Sequence, residues 1–248
     1  MHSSFCADGL ETIADGACFA AHEGARALVV YLHGRYAPAS EREELDRQAR
    51  VARLATTRGF AVLALRGVQG ECATTELADW FCWPSNSRNA SDAPAFVARM
   101  APLLDGAKKR VGARAPTYLL GFSNGAYFAS ILAERALVPF DAIVIAHGGP
   151  LDATNNDPPR ATPILLVTAD DDPSDDEMQA LDRELSRRKW PHDMIAREGG
   201  HALPDWDISM ALAFFDRSRT ESLPLEPPLA RRESHHVAEA GALGAPAQ

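Results

Sequence analysis

The chain has 248 residues, with 25 Lys+Arg against 34 Asp+Glu and a formal net charge of −9. That length suffices for one full core, and the acidic balance argues against nucleic acid as a main partner. Apolar content of 46% with 24% charged residues excludes a chain that is disordered or collagen-like as a whole. No run approaches the roughly 18 apolar residues of a spanning helix, and no basic stretch followed by an apolar one opens the chain. Neither a membrane span nor an intact leader peptide is expected.

Residues 1–24 read as an N-terminal segment that precedes the main domain. Cys6 and Cys18, and further on Cys72 and Cys82, form two local pairs about ten residues apart. No C-x-x-C step is present, and four cysteines allow three connectivities, of which Cys6–Cys18 with Cys72–Cys82 is the most local. Bridges imply maturation in an oxidising compartment, secreted or periplasmic, with Met1 replacing a removed leader; four reduced thiols imply a cytoplasmic protein.

Ala27–Leu32 (ALVVYL) is a continuous apolar run ended by His33-Gly34, as expected of a strand buried on both faces. Ser40 with Glu43 reads as a capping box, and the segment to Arg58 carries Leu45, Ala49, Ala52 and Leu54 at helical spacing. Phe60–Leu65 is a second strand, followed by a long loop and a helix from about Asp92 to Val111. Thr117–Phe122 is a strand, Asn124 to Leu137 a helix, and Ala142–Ala146 a strand. Pro163–Thr168 is the next strand, Ser174 with Glu177 a second capping box opening a helix to about Lys189, and Met194–Ala196 a short last strand. A helix from about Pro204 to Phe215 closes the domain.

Strands alternating with helices at this spacing predict an α/β domain over residues 25–217, with a mainly parallel sheet covered by helices on both faces. From Ser218 to Gln248 the composition turns to Pro, Ala, Glu, Arg and Gly, too poor in large apolar groups to offset the entropy of ordering, so a disordered tail is expected. His235-His236 there reads as a solvated pair.

Gly121-Phe122-Ser123-Asn124-Gly125 fits G-x-S-x-G where a strand meets a helix. A tight turn there holds the serine hydroxyl at the carboxyl edge of the sheet, and the glycines leave room for neighbouring backbone. The plain alternative is a Gly-rich turn without catalysis. A serine hydroxyl needs a base, itself oriented by a buried carboxylate. With Ser, acid and His in that chain order, Asp170-Asp171-Asp172-Pro173 and Gly199-Gly200-His201 follow later strand ends. His147 also follows a strand but precedes the acid, so it is expected to line the crevice or pack. His33 is expected to brace the first loop, while His2, His22 and His192 lie away from carboxyl strand ends.

With these residues the chain resembles α/β-hydrolase fold serine esterases of the small kind without a large lid domain, over roughly Ala25 to Phe215. It is similar to carboxylesterases of the acyl-protein thioesterase and dienelactone hydrolase type and to polyhydroxybutyrate depolymerase-like esterases. The motifs are Leu32-His33-Gly34, Gly-Phe-Ser-Asn-Gly, Ala-Asp-Asp-Asp-Pro and Gly-Gly-His. The resemblance implies Ser123 as nucleophile, His201 as base and, from a pattern H-G-x-x-D-P, Asp172 as acid. Thr168-Ala169 replace the usual His-Gly, which leaves Asp171 or Asp170 as substitutes. It also implies backbone N–H donors at Asn124 and Arg35 for an oxyanion, and no cofactor. Dienelactone hydrolases usually carry a Cys nucleophile where this chain has Ser123, which disfavours that substrate.

The side chain of Arg35 is either a surface charge or a partner for an anionic substrate group. The loop with Trp80, Phe81, Trp83 and Pro84 is expected to wall a pocket with Tyr36 and His147, or to pack as a satellite cluster. The acidic run Asp170–Asp172 with Asp175, Asp176 and Glu177 lacks a calcium-loop rhythm and reads as charge at a helix N-terminus, so no metal is expected. The reading is a hydrolase of small to medium acyl or aromatic esters, a small-molecule substrate. Its rivals are acyl transfer, thioester or amide cleavage by the same residues, or a catalytically silent binding protein.

Overall fold

A computed structural model of the chain describes residues 5–86, 88–149 and 161–221. An eight-stranded sheet runs through it in the order β1-β2-β4-β3-β7-β8-β9-β10. Its first two strands, β1 (Glu11–Ala14) and β2 (Ala17–Ala20), form an antiparallel hairpin, and β2 pairs antiparallel with β4 (Phe60–Leu65). From β4 onward the pairs are parallel: β3 (Ala27–Leu32), β7 (Thr117–Phe122), β8 (Ala142–Ala146), β9 (Ile164–Ala169) and β10 (His192–Arg197). A short hairpin, β5 (Val68–Gln69) with β6 (Phe81–Cys82), stands apart in the loop after β4.

The continuous apolar runs are explained by two buried faces. Along β3, Leu28, Val30 and Leu32 face one core layer, while Ala27, Val29 and Tyr31 face the other. The first layer is covered by α2 (Ala93–Val111), α3 (Asn124–Glu134) and α4 (Asp175–Arg187), through Phe96, Phe128 and Leu181 among others. The second is covered by α1 (Glu41–Thr56) and α5 (Asp205–Glu221), through Val51, Ala55, Ile208, Leu212 and Phe215. Each parallel crossover thus returns as a helix that buries its apolar stripe on the sheet. This is the α/β-hydrolase fold, with no large lid among the described residues.

Four features depart from the expectations. Residues 11–20 extend the sheet by two strands. The last helix ends at Glu221 rather than near Phe215, so residues 218–221 belong to α5; residues 222–248, His2 and His235-His236 lie outside the described residues.

Neither capping box forms: the Ser40 hydroxyl donates to Ala37 O, and the Ser174 hydroxyl donates to Asp172 Oδ1. The Ser174 side chain at the α4 start thus serves Asp172 rather than the helix. Finally, Trp83 is fully buried, stacked on Phe128 and edge-on to Phe96, and Tyr36 is buried against Phe81 and His33. The aromatic loop is core beneath the strand ends.

Both local cysteine pairs are bridged, Cys6–Cys18 and Cys72–Cys82, with Cα separations of 5.4 and 5.2 Å. None of the helices among the described residues is long and apolar enough to cross a membrane.

Candidate active site

Four consecutive strands, β7, β8, β9 and β10, deliver one side chain each at or just past their carboxyl ends: Ser123, His147, Asp172 and His201. Ser123 joins β7 to α3 with φ 52° and ψ −121°, a left-handed backbone that an L residue adopts only when its surroundings enforce it. The enforcement is visible. Ser123 N–H donates to Ala146 O at 2.8 Å, and a Cβ at Gly125 would lie 2.3 Å from Leu32 O. Only glycine lets α3 come so close to the end of β3.

His201 Nε2 lies 2.8 Å from Ser123 Oγ, and its Nδ1 lies 3.0 and 3.1 Å from the two oxygens of Asp172. A carboxylate cannot donate, so Nδ1 carries the ring proton and Nε2 is left to accept from the serine hydroxyl. The side chain of Asp172 is fully buried. Burial favours its neutral form, but the Ser174 hydroxyl and amide, the His201 imidazole and the His147 bond outweigh it and hold the carboxyl at about 2. Asp170 instead accepts the Gly199 N–H at 2.8 Å, and Asp171 is exposed. Of the three candidate acids, Asp172 alone reaches His201.

The N–H groups of Arg35 and Asn124 have no hydrogen-bond partner among the described residues. A Cβ at Gly34 would come within 3.0 Å of the Ser123 Cβ, so the Arg35 loop passes directly beside the serine. The loop is braced by His33, whose Nδ1 lies 2.5 Å from Gly34 O and whose Nε2 accepts the Gly67 N–H at 2.8 Å. Burial pushes the His33 ring down to about 3, against the Gly34 carbonyl, which favours the protonated ring. The Asn124 side chain is occupied structurally: its Oδ1 accepts the Trp83 N–H at 2.8 Å and its Nδ2 donates to Ser85 Oγ.

A cavity of about 390 Å³ opens over this row, lined by Arg35, Ser85, Asn86, Tyr127 and Pro173 around Ser123 and His201. His147 underlies its floor, with no surface open to solvent. Tyr36, Trp80 and Trp83 do not line it, which corrects the aromatic-wall expectation: the Tyr36 and Trp83 rings are buried in the core. The Tyr127 hydroxyl donates to Glu177, and Arg35 is exposed, without an ion-pair partner among the described residues.

Sequence reasoning missed what His147 does. Its Nδ1 lies 2.6 Å from Asp172 Oδ2 and its Nε2 lies 2.8 Å from Asp207 Oδ2. His147, Asp172 and His201 bring ligand atoms within 4.8 Å of one another, the one such trio among the described residues. Their nitrogen and oxygen atoms are already bonded to each other, to Asp207 and to Ser123, so a cation here would have to displace those bonds.

No family model and no curated protein matches the sequence. Solved structures do. SOBER1 from Arabidopsis thaliana aligns with a TM-score of 0.62 at 16% identity, covering 79% of this chain and 100% of that one. The Bacillus cereus carboxylesterase aligns at 0.57 and 19%, covering 82% and 93%. Atu2452 from Agrobacterium tumefaciens, a protein of unknown function, aligns at 0.56 and 21%, covering 81% and 95%. These likenesses show a shared fold.

Proposed function

We propose that the chain is a serine hydrolase of carboxylic esters with small to medium acyl or aromatic groups. The observation that carries this reading is the hydrogen-bonded row Ser123 Oγ, His201 Nε2 and the buried Asp172 carboxylate. Ser123 Oγ attacks the ester carbonyl while His201 Nε2 takes its proton. The Arg35 and Asn124 amides receive the developing oxyanion, and Asp172 balances the charge on the imidazolium. His201 returns the proton to the departing alkoxide, leaving an acyl-enzyme, and a water deprotonated by the same ring releases the acid.

The fold of the neighbours supports the reading, and two of them are named as an esterase, PE8, and a carboxylesterase. A cavity of about 390 Å³ suits a short acyl or aromatic group better than a long fatty chain. The two bridges support an oxidising compartment, secreted or periplasmic.

The test is turnover of p-nitrophenyl esters of graded acyl length, together with labelling by a fluorophosphonate. Acetate and butyrate esters are expected to react, label is expected on Ser123, and Ser123→Ala is expected to lose at least about 10³-fold in kcat. A folded protein that neither labels nor turns over any ester in the series overturns the proposal in favour of a binding protein.

A further inference from the structure

His147 is a buried titratable group that the mechanism above does not use. It follows β8 directly, between the strands that carry Ser123 and Asp172, and its φ of 56° turns the ring beneath the site. Such a backbone is rare for histidine and costs free energy, so the position is held by what the ring contacts.

Counting protons settles what those contacts are. Asp172 Oδ1 accepts from the Ser174 N–H and hydroxyl, both at 2.7 Å, while Oδ2 faces Nδ1 of His147. The Ser174 N–H and hydroxyl and His201 Nδ1 all converge on the carboxylate, and together they hold Asp172 ionised. Asp207 Oδ1 pairs with Arg197 Nε at 2.8 Å and its Oδ2 faces Nε2 of His147. Partners on the outer oxygens thus favour carboxylates on both sides of the ring, an arrangement in which both bonds take their proton from His147. The result is a buried row of alternating charge, Asp172 negative, His147 positive, Asp207 negative and Arg197 positive, with no exposed side-chain surface on the first three.

The far end of that row holds the loop that carries His201. The Arg197 guanidinium donates to the carbonyls of Glu198, Gly200 and Ala202 at 2.9, 3.2 and 2.9 Å. One chain of ionic hydrogen bonds thus fixes the acid at one end and the base-bearing loop at the other.

We propose that His147, as an imidazolium bridging Asp172 and Asp207, is a positioning residue for this site. The inference rests on the serine-hydrolase reading and deepens it. His147 does not touch the ester. It holds the Asp172 carboxylate in the orientation that meets Nδ1 of His201. Through Asp207 and Arg197 it also sets the distance between His201 and Ser123.

The test pairs spectroscopy with kinetics. In the full chain labelled with ¹⁵N-histidine, His147 is expected to show two protonated ring nitrogens at neutral pH, in the wild type and equally in Ser123→Ala. Asp207→Asn removes one carboxylate and is expected to leave one ring nitrogen of His147 unprotonated. Both His147→Gln and Asp207→Asn are expected to lower kcat about 10- to 100-fold, the scale of a small misplacement of a reacting group, with KM within about twofold. Where His147→Gln does not fold, Asp207→Asn, which keeps volume and shape, decides the matter. A wild-type His147 ring with one unprotonated nitrogen, or unchanged kcat in a folded Asp207→Asn, overturns the proposal. Failure of the esterase reading is separate: it shows as absent turnover and labelling in the wild type, while the ring-nitrogen signature still decides whether the bridge exists.

Discussion

His147 and His201 share one oxygen of Asp172: Oδ2 lies 2.6 Å from the first imidazole and 3.0 Å from the second. In the proposed mechanism Asp172 therefore holds its orientation through contacts that persist while His201 moves a proton. Asp172→Asn places an amide where donors already converge, so one of them must turn away and His201 loses its fixed tautomer. We expect kcat to fall roughly 10⁴-fold. Asp171→Asn, an exposed neighbour in the same acidic run, is expected to stay within about twofold. Steady-state kinetics of the two purified variants distinguishes Asp172 from its neighbours, and a full reversal of that order would reassign the acid.

The two glycines nearest the serine differ in what surrounds them. At Gly125 an added Cβ meets the Leu32 carbonyl at 2.3 Å and that of His33 at 2.6 Å, both backbone atoms that cannot yield without shifting the end of β3. Gly125→Ala is expected to destabilise the fold by about 3 kcal/mol, measured by urea denaturation. At Gly34 the contacts are 3.0 Å to the Ser123 Cβ and 3.2 Å to the Phe122 ring, close enough to move the loop by tenths of an ångström. Gly34→Ala is expected to fold and to lose activity about 10- to 100-fold through displacement of the Arg35 amide. Equal losses of stability in the two variants would contradict this division.

The parts of the fold that were legible are those with two buried faces. β3, β4, β7 and β8 begin and end where their apolar runs do, because every side chain along them is buried. That Ser123, Asp172 and His201 lie together was legible for a related reason: a parallel sheet presents its carboxyl ends at one rim, so residues just past the strands fall together. The β1–β2 hairpin was missed because Glu11 and Thr12 are exposed and the strands are short, although Asp15-Gly16 between them is a hairpin-turn signal. The role of His147 was not legible, since its partner Asp207 sits on α5, 60 residues away, in a segment whose only pattern is helical. Trp83 suggested a pocket wall by its neighbourhood, yet its indole N–H donates to His33 O and its ring fills the core.

The bridge Cys72–Cys82 ends one residue before Trp83, whose N–H donates to the Asn124 side chain. It thus anchors the loop that brings Ser85 and Asn86 to the cavity. A bridge closing a loop of this length contributes about 3 kcal/mol by restricting the unfolded chain. Cys72→Ser with Cys82→Ser is expected to lower the denaturation midpoint accordingly and to raise KM for the ester substrates as the cavity wall loosens. Removing Cys6–Cys18, which ties the chain to β2 beside Ala64 of β4 and does not line the cavity, is expected to cost similar stability with KM unchanged. An equal KM in the wild type and the Cys72→Ser/Cys82→Ser variant would show that the loop is held by other contacts.

His33 makes stability depend on pH in a defined direction. In the native chain its ring stays neutral down to about 3, because burial penalises the charged form and Nε2 is engaged by the Gly67 N–H. In the unfolded chain the ring takes a proton near pH 6.5. Between these values the unfolded state binds one proton more than the native state, so stability is fully present above about pH 6.5 and is lost as pH falls, by about 1.4 kcal/mol per unit. Asp172, held at about 2, adds a loss in the same direction only below about pH 3.8. Glu44, raised to about 7 by burial, contributes a slope of opposite sign between pH 4.5 and 6, so the difference between a His33 variant and the wild type, not the wild-type slope alone, isolates His33. In His33→Gln the side-chain amide can accept from Gly67 and donate to Gly34 without titrating. Urea denaturation across that window is expected to give slopes that differ by about 1.4 kcal/mol per pH unit, the wild type gaining that much less, or losing that much more, stability than His33→Gln for each unit of acidification. Parallel lines would mean that the native ring takes up its proton as readily as the unfolded one, and that the Gly34 loop is not braced by a neutral His33.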